Sequence, residues 1–91
     1  MKLWLLSQNH NNGYDTYDSA VVAAETEDEA KAIHPGGADK IWNGTGWAYK
    51  EGGFVSSYDS WAPLQHISII NIGEAVADTP TGILCASFNA G

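Results

Sequence analysis

The stretch Tyr17-Asp18-Ser19-Ala20-Val21-Val22-Ala23-Ala24-Glu25-Thr26-Glu27-Asp28-Glu29 joins a strand pattern directly to a helix start. Along residues 17–24, alternation places Ser19, Val21 and Ala23 on one face and Asp18, Ala20, Val22 and Ala24 on the other. Both faces are small and mostly apolar, which suits a central strand with a helix packed closely on one side. Thr26 and Glu29 then form a capping box, the hydroxyl placed for the Glu29 N–H and the carboxylate for the Thr26 N–H. Glu27, Asp28 and Glu29 also favour the positive end of the helix dipole. Ala30 and Ile33 supply a buried stripe, Glu27 and Lys31 an i,i+4 pair, and Pro35-Gly36-Gly37 a stop, so a helix is expected over residues 27–34.

On the N-terminal side, residues 3–7 read as a strand ended by the polar turn Gln8-Asn9-His10-Asn11-Asn12-Gly13. On the C-terminal side, residues 64–77 read as one long strand with Gly73 marking a bulge. Asp78-Thr79-Pro80-Thr81-Gly82 then turns the chain into a final strand over residues 83–89, making a terminal hairpin. The expected fold class is α+β: a four-stranded, mainly antiparallel sheet with one short helix on a face and an aromatic and glycine-rich insertion. Residues 1–91 are expected to form a single domain, since this length leaves no room for a second core.

That insertion runs from Ile41 to Trp61 and holds six of the chain's ten aromatic residues and four of its ten glycines. Aromatic side chains give contact area at low entropic cost, and glycine lets the backbone turn, so the segment is expected to be a binding loop. Trp42, Trp47, Tyr49, Lys50 and Trp61 are its candidate ligand-binding residues, with Lys40 and Lys50 flanking. A planar ring stacks on an indole while a phosphate meets an ammonium and glycine N–H groups. The competing expectation makes Trp42, Trp47 and Trp61 a small second core beneath a long loop.

The chain has four lysines, no arginine and eleven carboxylates, for a net charge of −7. Its cations stand singly at Lys2, Lys31, Lys40 and Lys50, which disfavours binding to a nucleic acid polymer. A small phosphorylated ligand or a basic protein partner remains compatible with this charge. Met1-Lys2-Leu3-Trp4-Leu5-Leu6 lacks the length and cleavage site of a signal peptide, and no stretch is long enough to span a membrane, so a cytoplasmic location is expected.

His66-Ile67-Ser68 looks like one half of a two-histidine phosphoesterase signature, with both polar side chains on one strand face. No second His-x-Ser/Thr occurs, so a site would need His66 from two subunits. A strand histidine bonded to a neighbour is the simpler reading. His10, His34, His66 and Cys85 have no paired-ligand spacing, so neither a metal nor a cofactor is implied. Cys85 lies in the apolar run Ile83-Leu84-Cys85-Ala86 and reads as a small core residue. In the polar loop, Asn11, Asn12 and Gly13 read as turn chemistry, while His10 and Tyr14 stay open as functional candidates.

Lys2-Leu3-Trp4-Leu5-Leu6-Ser7-Gln8, residues 13–24, Ile33-His34-Pro35 and the ending Cys85-Ala86-Ser87-Phe88-Asn89-Ala90-Gly91 resemble small uncharacterised proteins encoded by bacteriophages. The resemblance brings no established active residues. It implies an accessory anti-defence protein in the host cell cytoplasm that sequesters a nucleotide-derived signal or binds a defence protein. The leading expectation is non-enzymatic sequestration of a nucleotide-like ligand. An acidic inhibitor of a host defence protein comes second, and a phosphoesterase-like enzyme using His66 across a dimer third. A homo-oligomer is also expected, because a small core and exposed sheet edges favour self-association.

Overall fold

A computed structural model describes residues 1–10, 16–37, 39–44, 46–53 and 61–89. In chain order the elements are β1 (Lys2–Ser7), β2 (Thr16–Ala24), α1 (Glu27–Lys31), β3 (Lys40–Trp42), β4 (Trp47–Tyr49), a 3₁₀ turn (Leu64–His66), β5 (Ser68–Glu74) and β6 (Gly82–Asn89). Four strands form an antiparallel sheet in the order β5-β1-β2-β6, and β3 pairs with β4 as a separate two-stranded sheet. The fold is α+β, with β2 in the sheet interior.

The alternation of β1 and β2 separates the two faces of the sheet. Trp4 and Leu6 stand beside Val22 and Ala20 on the inner face and belong to the buried core, together with Ala24, Ala30, Trp47, Trp61, Ala62 and Ile67. Leu3, Leu5 and Ser7 pair with Ala23, Val21 and Ser19 on the outer face, where no residue of that core cluster lies. The small side chains of β2 matter on the inner side. Alanines at 20 and 24 leave depth for indole rings from other segments to approach the sheet.

Residues 64–89 were expected to form a hairpin, but β5 pairs with β1 and β6 pairs with β2, so the two strands lie on opposite edges of the sheet. The connection instead crosses the end of the central strands, where the Ala75 N–H donates to the Met1 carbonyl at 3.0 Å and the Thr81 hydroxyl reaches Met1 Sδ at 3.4 Å. Seven residues reach roughly 23 Å when extended, ample to step over two strands about 4.8 Å apart. The long strand expected from residue 64 begins only at Ser68, since Pro63 precedes a 3₁₀ turn closed by Ile67 N–H to the Leu64 carbonyl. Gly73 does sit at a register shift opposite Leu3 and Trp4, with φ 144°. That left-handed value favours glycine.

The helix starts as expected and stops early. Thr26 accepts the Glu29 N–H at 3.1 Å, while Glu29 Oε1 accepts from the Glu25 N–H at 3.4 Å rather than from Thr26. After Lys31 the chain leaves the helix, with Ala32 as its C-cap, so Ile33 and His34 lie outside it rather than in a last helical turn. Cys85 is exposed, contrary to the core reading. Its apolar neighbours lie on an edge strand, and the register places Cys85 beside Val21 on the outer face.

Replacing Thr26 by alanine leaves an end N–H without its acceptor, an expected loss of about 1 kcal/mol. Urea unfolding should show a lower midpoint at an unchanged slope.

Candidate functional site

A cleft of about 290 Å³ opens where the end of α1, the β3–β4 hairpin and the start of β6 meet. Its apolar lining comes from Ala32, Ile33, Ile41 and Ile83, and its cations from Lys40 and Lys50. No carboxylate of a described residue lines it. Two of the four lysines of a chain with net charge −7 therefore converge on one apolar depression.

Local backbone chemistry fixes the two lysines. Lys40 pairs with Tyr49 across the hairpin, and the Lys50 N–H donates to the Asp39 carbonyl at 2.8 Å, so both stand at the same end of β3–β4. A Cβ built on Gly36 would meet Lys40 Nζ at 2.8 Å and His34 Cε1 at 2.9 Å, so the ammonium and the imidazole both press on this glycine. His34 is fully buried, accepts the Gly36 N–H at Nδ1 at 2.8 Å and meets Trp47 edge-on at 4.9 Å. The buried ring thereby ties the turn after α1 to the hairpin. Asp39 is the nearby acid, its Oδ1 standing 2.8 Å from the Cβ position of Gly37.

The tryptophans expected to bind a ligand lie mostly inside. Trp47 and Trp61 are 6% and 1% exposed. The Trp47 indole N–H donates to the Ala62 carbonyl at 2.8 Å, and Trp42 is half-buried with its ring edge-on to Trp47 at 5.4 Å. These rings hold the hairpin against the sheet. Tyr49 and Lys50 are exposed at the hairpin's far end. Phe54 and Tyr58 lie outside the described residues, as does Tyr14.

The glycine N–H groups anticipated for a phosphate are largely engaged within the chain. Gly36 donates to His34 Nδ1, Gly37 to the His34 carbonyl, Gly46 to Asn43 Oδ1 and Gly52 to the Tyr49 carbonyl. An anion in the cleft must then be held chiefly by side chains.

His66 occupies the 3₁₀ turn rather than a strand, so alternation does not align it with Ser68. Its exposed ring stacks on His10 instead, with centroids 4.1 Å apart and planes inclined by 12°. His66 borders a second, polar hollow of about 300 Å³ lined also by Ser7, Gln8, Asn9 and Ser68. Among the described residues no three His, Cys, Asp or Glu side chains gather as a metal site would require. No helix among them is long and apolar enough to cross a membrane.

No protein family, characterised protein or solved structure matches the chain.

The sequence flagged Lys50 and the flanking Lys40 but missed Ile33, Thr81 and Ile83 as cleft partners. Their meeting depends on the crossover that carries β6 to the sheet edge beside β2, which no local pattern announces. Trp61→Ala should lower stability by about 3–5 kcal/mol, as a large core truncation does. Thermal denaturation followed by circular dichroism measures this.

Proposed function

We propose that the chain is a non-enzymatic binding protein that sequesters a small nucleotide-like anion in the cleft between α1, the β3–β4 hairpin and β6. The observation carrying this reading is the convergence of Lys40 and Lys50 on an apolar cleft of an otherwise acidic chain. Ammonium groups pair with phosphate as point charges, and Ile33, Ile41 and Ile83 give a flat ring an apolar bed. The cleft's volume of about 290 Å³ lies near the lower end for small-molecule sites and suits a single ring with its phosphate. The net charge of −7 repels a long polyanion, whereas a small ligand inside the cleft lies within a Debye length of the lysines. Trp42, Trp47 and Trp61 act beneath the site, holding the hairpin that presents Lys40 and Lys50.

The resemblance to phage-encoded proteins supports an anti-defence role in the host cell cytoplasm, with the ligand a nucleotide-derived immune signal. A second reading, an acidic inhibitor of a host defence protein, draws on Glu25, Glu27, Asp28 and Glu29, which are all exposed in one short stretch. Binding without turnover distinguishes both from an enzyme built on His66.

Native mass spectrometry of the protein purified from cells making candidate immune nucleotides should show a bound small mass. In the Lys40→Ala/Lys50→Ala double variant that mass should disappear while the melting temperature stays unchanged. Asp39→Asn removes the acid beside the site and should tighten binding several-fold. Absence of any adduct, together with no calorimetric binding of mono- or dinucleotides, refutes sequestration and turns attention to the acidic surface.

A further inference from the structure

The polar side chains of the lysine cleft differ in what each can do with a hydrogen bond. Lys40 and Lys50 only donate. His34 accepts at Nδ1, but the Gly36 N–H already occupies that nitrogen at 2.8 Å, which leaves Nε2 as the N–H donor of the ring. Thr81 is the other polar side chain among the described residues of the lining, and a hydroxyl both donates and accepts. Its single hydrogen has acceptors outside the cleft. The Thr81 hydroxyl lies 3.4 Å from Glu29 Oε1 and 3.4 Å from Met1 Sδ, and neither Glu29 nor Met1 lines the cleft. The carboxylate is the stronger acceptor of the two. With its hydrogen held by Glu29, the Thr81 oxygen has lone pairs alone to offer a ligand.

Resting on the nucleotide reading of this cleft, we infer that Thr81 selects a ring bearing an amino group over its oxo counterpart. The two kinds of polar group come from different walls, the lysines from the β3–β4 hairpin and Thr81 from the chain entering β6. A ligand that satisfies both carries an anion at one end and an N–H donor at the other. Cytosine and adenine nucleotides have that polarity, with phosphate for the lysines and an exocyclic amino group for Thr81 Oγ1. In uracil and hypoxanthine the same ring position carries a carbonyl oxygen. Two acceptors then face each other, unless the hydroxyl turns its hydrogen into the cleft and gives up Glu29.

That forfeited bond is the source of the discrimination. A neutral hydrogen bond is worth from a few-fold to about ten-fold in affinity, so the preference is graded rather than absolute. Glu29 is a positioning residue, since it acts through the Thr81 hydroxyl. Its Oε1 also accepts from the Glu25 N–H at 3.4 Å, so one carboxylate oxygen joins the start of α1 to the crossover that forms this wall of the cleft.

Calorimetric titration with two pairs of matched charge, CMP against UMP and AMP against IMP, should show the amino member binding several-fold more tightly in each. Thr81→Val keeps the side-chain shape without the oxygen and should bring both pairs to parity. Thr81→Ser keeps the hydroxyl and should keep the preference. Thr81 is exposed, so both variants should melt as the parent does. Glu29→Ala frees the hydroxyl to turn, and the oxo members should gain affinity until the preference shrinks. Equal binding of amino and oxo members by the parent chain, or a preference that survives Thr81→Val, overturns the inference and leaves sequestration standing. Failure of all four nucleotides to bind overturns sequestration itself, and the inference with it.

Discussion

A five-residue helix rises only about 7.5 Å, while a four-stranded sheet is about 19 Å wide. The rest of the inner face must be covered by something else, and tryptophans cover it. Trp4 comes from the sheet and bonds the Ala24 carbonyl at 3.1 Å, while Trp47 comes from the hairpin and bonds the Ala62 carbonyl at 2.8 Å. Trp61 fills the remaining space and is the largest fully buried side chain. An aromatic side chain of this kind removes 150–250 Å² from water, worth about 4–6 kcal/mol before entropy is counted. Small residues on β2 make the approach possible, so the alanines at 20 and 24 and the indoles are two halves of one packing solution.

The cleft is a consequence of that solution. Once Trp47 and His34 join the hairpin to the turn after α1, Lys40 and Lys50 at the open end of β3–β4 line one cleft with Ile33 and Ile83. The aromatic segment therefore contributes to the site through what it positions. Its glycines act similarly, since several of their N–H groups close turns within the chain. Side-chain cations are left as the principal recognition chemistry for an anion.

Much of the fold was legible because its signals are local. The Thr26 cap, the strand pattern of residues 17–24 and the bulge at Gly73 each depend on a few neighbouring residues. The reading failed where pairing is long-range. A turn-rich stretch at residues 78–82 looks the same whether it reverses a hairpin or steps over two strands, and only the competition among strands for the sheet centre decides. Cys85 failed for a related reason: an apolar run marks a strand, but not whether its outer side is covered. The aromatic segment had two readings with the same composition, and burial separated them for Trp47 and Trp61. Lys50 was visible from its place beside the aromatics, whereas Thr81 and Ile83 reach the cleft only through the crossover.

The two faces of the sheet divide the physical tasks. The inner face spends its aromatic residues on cohesion and leaves at its margin a cleft with concentrated positive charge. The outer face carries Leu3, Leu5 and Ser7 of β1 beside Ala23, Val21 and Ser19 of β2, and Ser19, Val21, Cys85 and Ser87 border a hollow of about 180 Å³. In an acidic chain with few cations, two lysines share one concavity, while the outer-face positions Leu3, Leu5 and Ser7 of β1 and Ser19, Val21 and Ala23 of β2 are uncharged. The strand alternation that buries Trp4 and Leu6 is also what turns Leu5 and Ser7 outward.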